Sequence, residues 1–260
     1  MNGNRFFVVR QSFFKAMSAL ILALLFVTPG MGGDHCPAVF SKQLKIQILA
    51  INDFHGQLTN RYLYGRPVGS APVLASYLKA AAQGMEKQTF IVHAGDFVGA
   101  SVPESSLLQD EPTIEFFNLL GNRFCSDKFP MHPKCNLVGT VGNHEFDEGV
   151  TEMMRLFKGG NHADGPFLQN PWKGAAFPHV CANVVNEETK RTLLPPFSIK
   201  LVKGVPVAFI GAVLEDTPSI VTASGIAGYD FIGEAEAVNK QVARLKRWGI
   251  QAIVVLIHQG

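Results

Sequence analysis

From Leu44 onward the chain alternates short apolar runs with stretches of helical periodicity, separated by clusters of Gly, Pro, Asn and Asp. Residues 44–51 (LKIQILAI) read as a strand that runs into Asn52-Asp53-Phe54-His55-Gly56. Residues 72–83 predict a helix, with Pro at its start and Gly84 just beyond its end. A second strand over 89–93 leads into Ala94-Gly95-Asp96, and a helix over 111–120 is closed by Gly121. A third strand, 137–141, feeds Gly142-Asn143-His144-Glu145-Phe146-Asp147; a short helix over 150–157 and a long polar loop follow. Residues 180–185 predict another strand, and 197–202 with 205–212 a hairpin about Lys203-Gly204. An amphipathic helix over 234–248 carries an apolar stripe of Ala237, Val238, Val242, Leu245 and Trp248. Residues 252–257 (AIVVLI) predict a buried strand delivering His258-Gln259-Gly260. Strands that alternate with helices predict an α/β fold, and neither an internal repeat nor an interdomain linker interrupts the pattern.

The first thirty residues follow a different rule. Arg5, Arg10 and Lys15 precede an apolar run over 16–27 that ends in Thr28-Pro29-Gly30, the layout of a secretory signal. Twelve residues reach about 18 Å as a helix, short of the ~30 Å hydrocarbon core, so a stable membrane span is disfavoured. Residues 1–33 are therefore expected to be removed on export to a periplasmic or extracellular space. The whole chain has 260 residues with 23 basic and 21 acidic side chains, and all the charge before Asp34 is basic. Without the leader 20 basic face 21 acidic groups, which leaves no basic stripe for a nucleic-acid polymer.

Export also changes what the four cysteines mean, because an oxidising compartment favours pairing over metal thiolates. Cys125 and Cys135 bracket a polar, Pro-containing stretch and predict a disulfide-stapled surface loop. Cys36 and Cys181 either pair with each other or stay free.

The informative fact is positional. Four strand-like segments each end in a polar cluster: Asp53 and His55, then Asp96, then Asn143 and His144, and finally His258. In open α/β sheets ligands collect at the carboxyl ends of strands, where residues distant in sequence converge. Their oxygen and imidazole donors suit a divalent ion such as Mn, Fe or Zn. Taken alone, Asp-x-His reads as a loop-capping acid with a surface imidazole, and Gly95-Asp96 as a turn. Gly-Asn-His-Glu-x-Asp is more specific, with a chance match on the order of one in ten thousand for this length. Among the other histidines, His35, His132, His162 and His179 read as exposed loop residues. His93 ends its strand beside the clusters, either packed there or hydrogen-bonded to the site.

These four blocks, Asn52-Asp53-Phe54-His55-Gly56, Ala94-Gly95-Asp96, Gly142 to Asp147 and His258-Gln259-Gly260, resemble those of the calcineurin-like metallophosphoesterases. Within them the chain looks like the exported 5′-nucleotidase and UDP-sugar hydrolase branch over residues 44–260. The resemblance implies a four-layered αββα sandwich and two divalent metal ions, Mn, Zn, Fe, Co or Mg. It implies Asp53 and His55 on the first metal, Asp96 bridging, and Asn143 and His258 on the second. His144 would be the catalytic imidazole, with Asp147 as its partner or as a cap for the following helix. The implied reaction is attack of a metal-activated hydroxide on a phosphate ester, most simply a nucleotide. Alternatives on the same scaffold are a 2′,3′-cyclic nucleotide phosphodiesterase/3′-nucleotidase and a thiosulfohydrolase; a non-catalytic secreted binding module is a third.

The family pattern continues with a Gly-His-x-His block and a C-terminal nucleotide-binding domain, and neither occurs in these residues. The expectation is thus a catalytic domain incomplete at its C-terminus, poorly active as a 260-residue piece.

Overall fold

The computed structural model describes residues 6–9 and 43–259. Of the expected leader only Phe6–Val9 (β1) is described, as a strand antiparallel to Leu44–Ile51 (β2); the rest of that segment, His35 and Cys36 lie outside the described residues. In chain order there follow a hairpin of Arg61–Leu63 (β3) and Arg66–Val68 (β4), helix Ala71–Ala82 (α1), Thr89–Ala94 (β5), the short helix Pro103–Ser106 (α2), helix Glu111–Leu120 (α3), Leu137–Thr140 (β6) and helix Gly149–Lys158 (α4). Then come Val184–Asn186 (β7), Phe197–Val202 (β8), Val205–Val213 (β9), Tyr229–Phe231 (β10), helix Glu234–Arg247 (α5) and Ala252–His258 (β11).

Two sheets form the centre. One has the order β1-β2-β5-β6, with β2, β5 and β6 parallel; the other has the order β11-β9-β8, with β9 and β11 parallel and β8 joined to β9 as a hairpin. Leu44, Ile46, Phe90, Val92 and Val138 of the first sheet pack against Val207, Phe209 and Leu256 of the second. Phe90 and Phe209 meet edge to face with ring centroids 4.9 Å apart.

The outer layers follow from helix periodicity. α4 buries Val150, Met153, Leu156 and Phe157, whose spacing makes one face; with Ile114 and Phe117 of α3 and Leu78 of α1 they cover the first sheet. α5 buries Ala237 and Leu245 on the second sheet against Ala208 and Ile210. Its acids Glu234 and Glu236 occupy the first turn, and Arg244, Lys246 and Arg247 the last, as the helix dipole favours. The result is the expected αββα order. The Cys125–Cys135 disulfide is present, with Cα atoms 4.6 Å apart, and Cys181 is buried and pairs with no cysteine among the described residues.

Three expectations change. Of the predicted 180–185 strand only Val184 and Val185 are regular, as part of Val184–Asn186. Val180 donates to Gly139 in the first sheet and Ala182 to Gly211 in the second, so the segment crosses between sheets instead of extending one. A Cβ at Gly211 would stand 1.9 Å from the Val180 carbonyl oxygen, so this crossing needs glycine there. Trp248 is 53% exposed, its ring against Phe197 and the Arg244 guanidinium, so it closes the helix outside the stripe. β11 lies at the edge of its sheet and leaves Val255 and Ile257 exposed, burying Leu256 and His258 on its other face. Among the described residues no helix is long and apolar enough to cross a membrane.

Candidate metal centre

Strands β2, β5, β6 and β11 hand their chain to polar loops at one edge of the sandwich. Parallel register sets Ile51 beside His93 and Ala94 beside Thr140, so the loops start at a common level. Backbone hydrogen bonds then stitch two of them: Asp53 donates to Gly95 (3.3 Å), His55 to Asp96 (3.1 Å) and Gly56 to Phe97 (3.1 Å). Asp53, His55 and Asp96 all adopt left-handed backbone, with φ of 50°, 44° and 51°. Non-glycine residues rarely enter that region, and such strain concentrates at functional sites.

Glu145 holds the frame from beneath. Its buried carboxylate accepts the backbone N–H of Asp96 (3.0 Å), Phe97 (2.9 Å), Val98 (3.3 Å) and Gly142. Burial pushes this carboxyl up to about 7 and the Asp96 charge adds to the rise, while the amide donors oppose it. The sequence motif contains Glu145 but no local pattern reveals its task, because three of those amides lie 47 to 49 residues away.

The candidate site side chains converge on Asp96. Its Oδ2 lies 3.1 Å from His258 Nε2 and 3.9 Å from His55 Nε2, and Asp53 Oδ1 lies 4.0 Å from His55 Nε2. Both rings are turned by backbone carbonyls: His258 Nδ1 is 2.9 Å from the Ala94 oxygen, and His55 Nδ1 is 2.8 Å from that of Gly99. A carbonyl only accepts, so Nδ1 carries the hydrogen in each ring and Nε2 is turned to the carboxylates. This is how outer hydrogen bonds orient metal-binding imidazoles.

A lone pair aimed at a carboxylate demands a positive charge between them. In the metal-free protein that charge is a proton: burial works against it, but the hydrogen bond and charge of Asp96 raise His258 to about 9. The same partners act on Asp96, whose burial would raise it but whose bonds from His258 and the His144 amide hold it below the usual carboxylate range. His258 Nε2 is nevertheless buried without a well-aligned hydrogen bond among the described residues, so a proton fills the gap imperfectly. A divalent cation with bonds of about 2.0–2.2 Å to nitrogen and oxygen suits donors at these separations. The residues present thus fit a metal.

Two triads have donor atoms within 4.8 Å of one another: Asp53, Asp96 and His258, and His55, Asp96 and His144. Asp96 is common to both, while Asp53 gathers with His258 as well as with its neighbour His55. Asn143 is half-buried at the start of the 3-10 turn His144–Phe146, adjoining Gly142, where an added Cβ would lie 2.1 Å from Asp96 Oδ1.

His144 is built differently. Its Nδ1 lies 2.7 Å from Asp147 Oδ2, and its ring stands edge-on to His55 with centroids 5.0 Å apart. Burial disfavours its charge, but the bond to Asp147 and that carboxylate's charge outweigh it, and its pKa is raised. The residue before α4 is Glu148 and makes no side-chain cap, so Asp147 serves His144 and not the helix.

The sequence profile of the calcineurin-like phosphoesterases matches residues 46–260. The chain belongs to that family. It is 41% identical over 227 residues to the endonuclease YhcR of Bacillus subtilis, a match that covers 84% of this chain and 17% of that protein. It is 27% identical over 220 residues to the 5′-nucleotidase of Vibrio cholerae, covering 84% of this chain and 34% of the relative. Among solved structures, the NAD nucleotidase NadN of Haemophilus influenzae superposes with a TM-score of 0.60 at 22% identity, over 83% of this chain and 34% of that one. The chain therefore spans about a third of the length of two of these relatives and 17% of the other, and the NadN likeness establishes the shared fold.

Among the remaining described histidines, His179, His132 and His162 depart from the exposed positions expected of them. His179 is buried, not exposed, stacked on Phe157 with centroids 3.7 Å apart. Its Nε2 meets that of His93 at 3.3 Å among Phe97, Phe117 and Phe177. His93 is therefore a packed strand residue, and burial drives it down to about 3. His132 and His162 are half-buried.

Proposed function

We propose that this protein hydrolyses phosphate esters of nucleotides, using two divalent ions held by Asp53, His55, Asp96, Asn143 and His258. The observation that carries the reading is the shared carboxylate of Asp96 facing two imidazoles whose Nδ1 atoms are tied to backbone carbonyls. Bound ions supply Lewis acidity and a water acidified enough to attack near neutral pH. Asp96 and Asp53 offset part of their charge and leave the pocket cationic for a phosphate dianion. Glu145 holds the amides of Asp96, Phe97, Val98 and Gly142, so the ligands keep their places as charge builds on the phosphoryl oxygens. His144, kept cationic by Asp147, donates a proton or hydrogen bond to a phosphoryl or leaving oxygen.

The leader pattern and the disulfide support an exported protein. Support for a nucleotide comes from the relative named as a 5′-nucleotidase; the greater identity to a protein named as an endonuclease supports a phosphodiester as second reading. Purified full-length protein loaded with Mn²⁺ is expected to release phosphate from AMP and p-nitrophenol from its monophosphate. Preference for bis-p-nitrophenyl phosphate selects the second reading, and absence of bound metal together with no turnover rejects both.

A further inference from the structure

The hairpin of β3 and β4 has no part in the core: every residue of both strands is exposed, with Tyr62 at 73% and Tyr64, at the tip, at 95%. Its root continues the loop that carries Asp53 and His55. The Leu58 carbonyl, three residues past His55, accepts the Ala71 amide at 3.2 Å and so closes the hairpin's base. Thr59 Oγ1 next to it donates to Glu104 at 3.1 Å, tying the same base to the segment that follows Asp96.

Register decides what this arm displays. Arg61 pairs with Val68 and Leu63 with Arg66, which puts both guanidinium groups on one face as diagonal neighbours, while Tyr62 and Pro67 share the other. Like charges so placed repel. The Lys and Arg ion pairs among the described residues are Arg155 with Glu111 and Glu152, and Lys190 with Asp230; neither Arg61 nor Arg66 is in one. Two free guanidinium forks on a common face match the oxygens of one phosphate group.

The tip adds a second signal. Tyr64 and Gly65 form a two-residue turn with φ of 50° and 73°, a place that Asn-Gly normally fills. A tyrosine there is strained, and at 95% exposure nothing within the described chain packs on its ring to offset that strain.

We infer that this hairpin is a substrate arm: Arg61 and Arg66 bind a phosphate group other than the one under attack, and Tyr64 stacks on a nucleobase. The substrate class is then a nucleotide with two or more phosphates. This rests on the nucleotide-hydrolase reading and narrows it.

The test uses full-length protein, with kcat/KM measured for ADP, AMP and p-nitrophenyl phosphate. Calorimetry of ADP binding to chelator-treated protein supplies a readout independent of turnover. Arg61→Ala/Arg66→Ala is expected to lower the ADP-to-AMP ratio of kcat/KM about tenfold and to weaken ADP binding about tenfold. Tyr64→Gly is expected to lower both nucleotides about tenfold relative to p-nitrophenyl phosphate, with Tm held or raised because glycine suits the turn. Unchanged ratios with unchanged ADP affinity overturn the inference, as does a shift in oligomeric state without a shift in the ratios. Wild-type protein inert on all three substrates defeats the hydrolase reading instead, and ADP calorimetry then judges the arm by itself.

Discussion

Four imidazoles in one half of this molecule meet opposite fates. His55 and His258 stand at the strand ends, each with Nδ1 tied to a carbonyl and Nε2 turned to Asp96. His93 and His179 lie in the aromatic layer behind, bonded through Nε2 to each other. His258 and His93 are both almost fully buried, yet one is raised to about 9 and the other lowered to about 3. Burial lowers both; only a carboxylate partner reverses the sign. The difference separates a site that must hold positive charge from a core that must exclude it, three residues apart on one strand and its loop.

Removing the partner is the harshest way to break the contrast. Asp96→Asn takes the shared oxygen from both triads and is expected to cost metal binding and at least ~10³-fold in kcat/KM, read by metal analysis and phosphate release. Asp147→Asn leaves the proposed ligands in place and removes the group that raises the pKa of His144. It is expected to retain metal and to lose about 10²-fold in kcat.

The hydrocarbon-bound pair sharpens the comparison from the other side. The native pKa of His93 is about 3 against an ordinary 6.5, and His179 is lowered as well, by burial and then by its neighbour His93. The unfolded chain therefore binds protons first, so these groups cost no stability above pH 6.5 and progressively more as pH falls toward 3. Replacing both by Leu is expected to flatten that part of the acid limb in denaturant titrations. A single His93→Leu leaves His179 without its bond and is expected to cost about 1–3 kcal/mol.

Lys200 repeats the lesson at smaller scale. Among the described residues its buried ammonium has only the His132 carbonyl, 3.1 Å away, and burial lowers its pKa from 10.5 to about 7. The unfolded state again binds the extra proton, so stability rises with pH between about 7 and 10.5. Lys200→Met is expected to remove that rise and to stabilise the protein near pH 7 by about 1 kcal/mol, measured as Tm against pH.

Much of the contrast was legible beforehand, because strand-end placement is a property of chain order. Asp53, His55, Asp96, His144 and His258 could be set side by side from the spacing of apolar runs and one specific motif, and they do meet. Burial in a polar-looking segment was not legible. His179 follows Phe177-Pro178 in a loop, and only the return of Phe157 from α4 and Phe97 from the Asp96 loop covers it. The 180–185 segment looked like one strand since its apolar residues are contiguous; its hydrogen bonds divide between two sheets, which no local periodicity encodes. The hairpin of β3 and β4 was missed for the opposite reason: its three-residue strands bury nothing, so no hydrophobic alternation marks them.

His258 closes its bond to the Ala94 carbonyl across 164 residues, and it reaches that place only through β11 docking beside β9. A chain emerging from its N-terminus carries Asp53, His55, Asp96 and His144 long before it carries His258. The cavity that favours a cation is therefore closed only once β11 has docked beside β9. Until then Asp96 lacks the imidazole that fixes its charge, and a half-made chain offers a loose set of donors in place of a metal trap. The full set of donors around Asp96 thus depends on both sheets standing together.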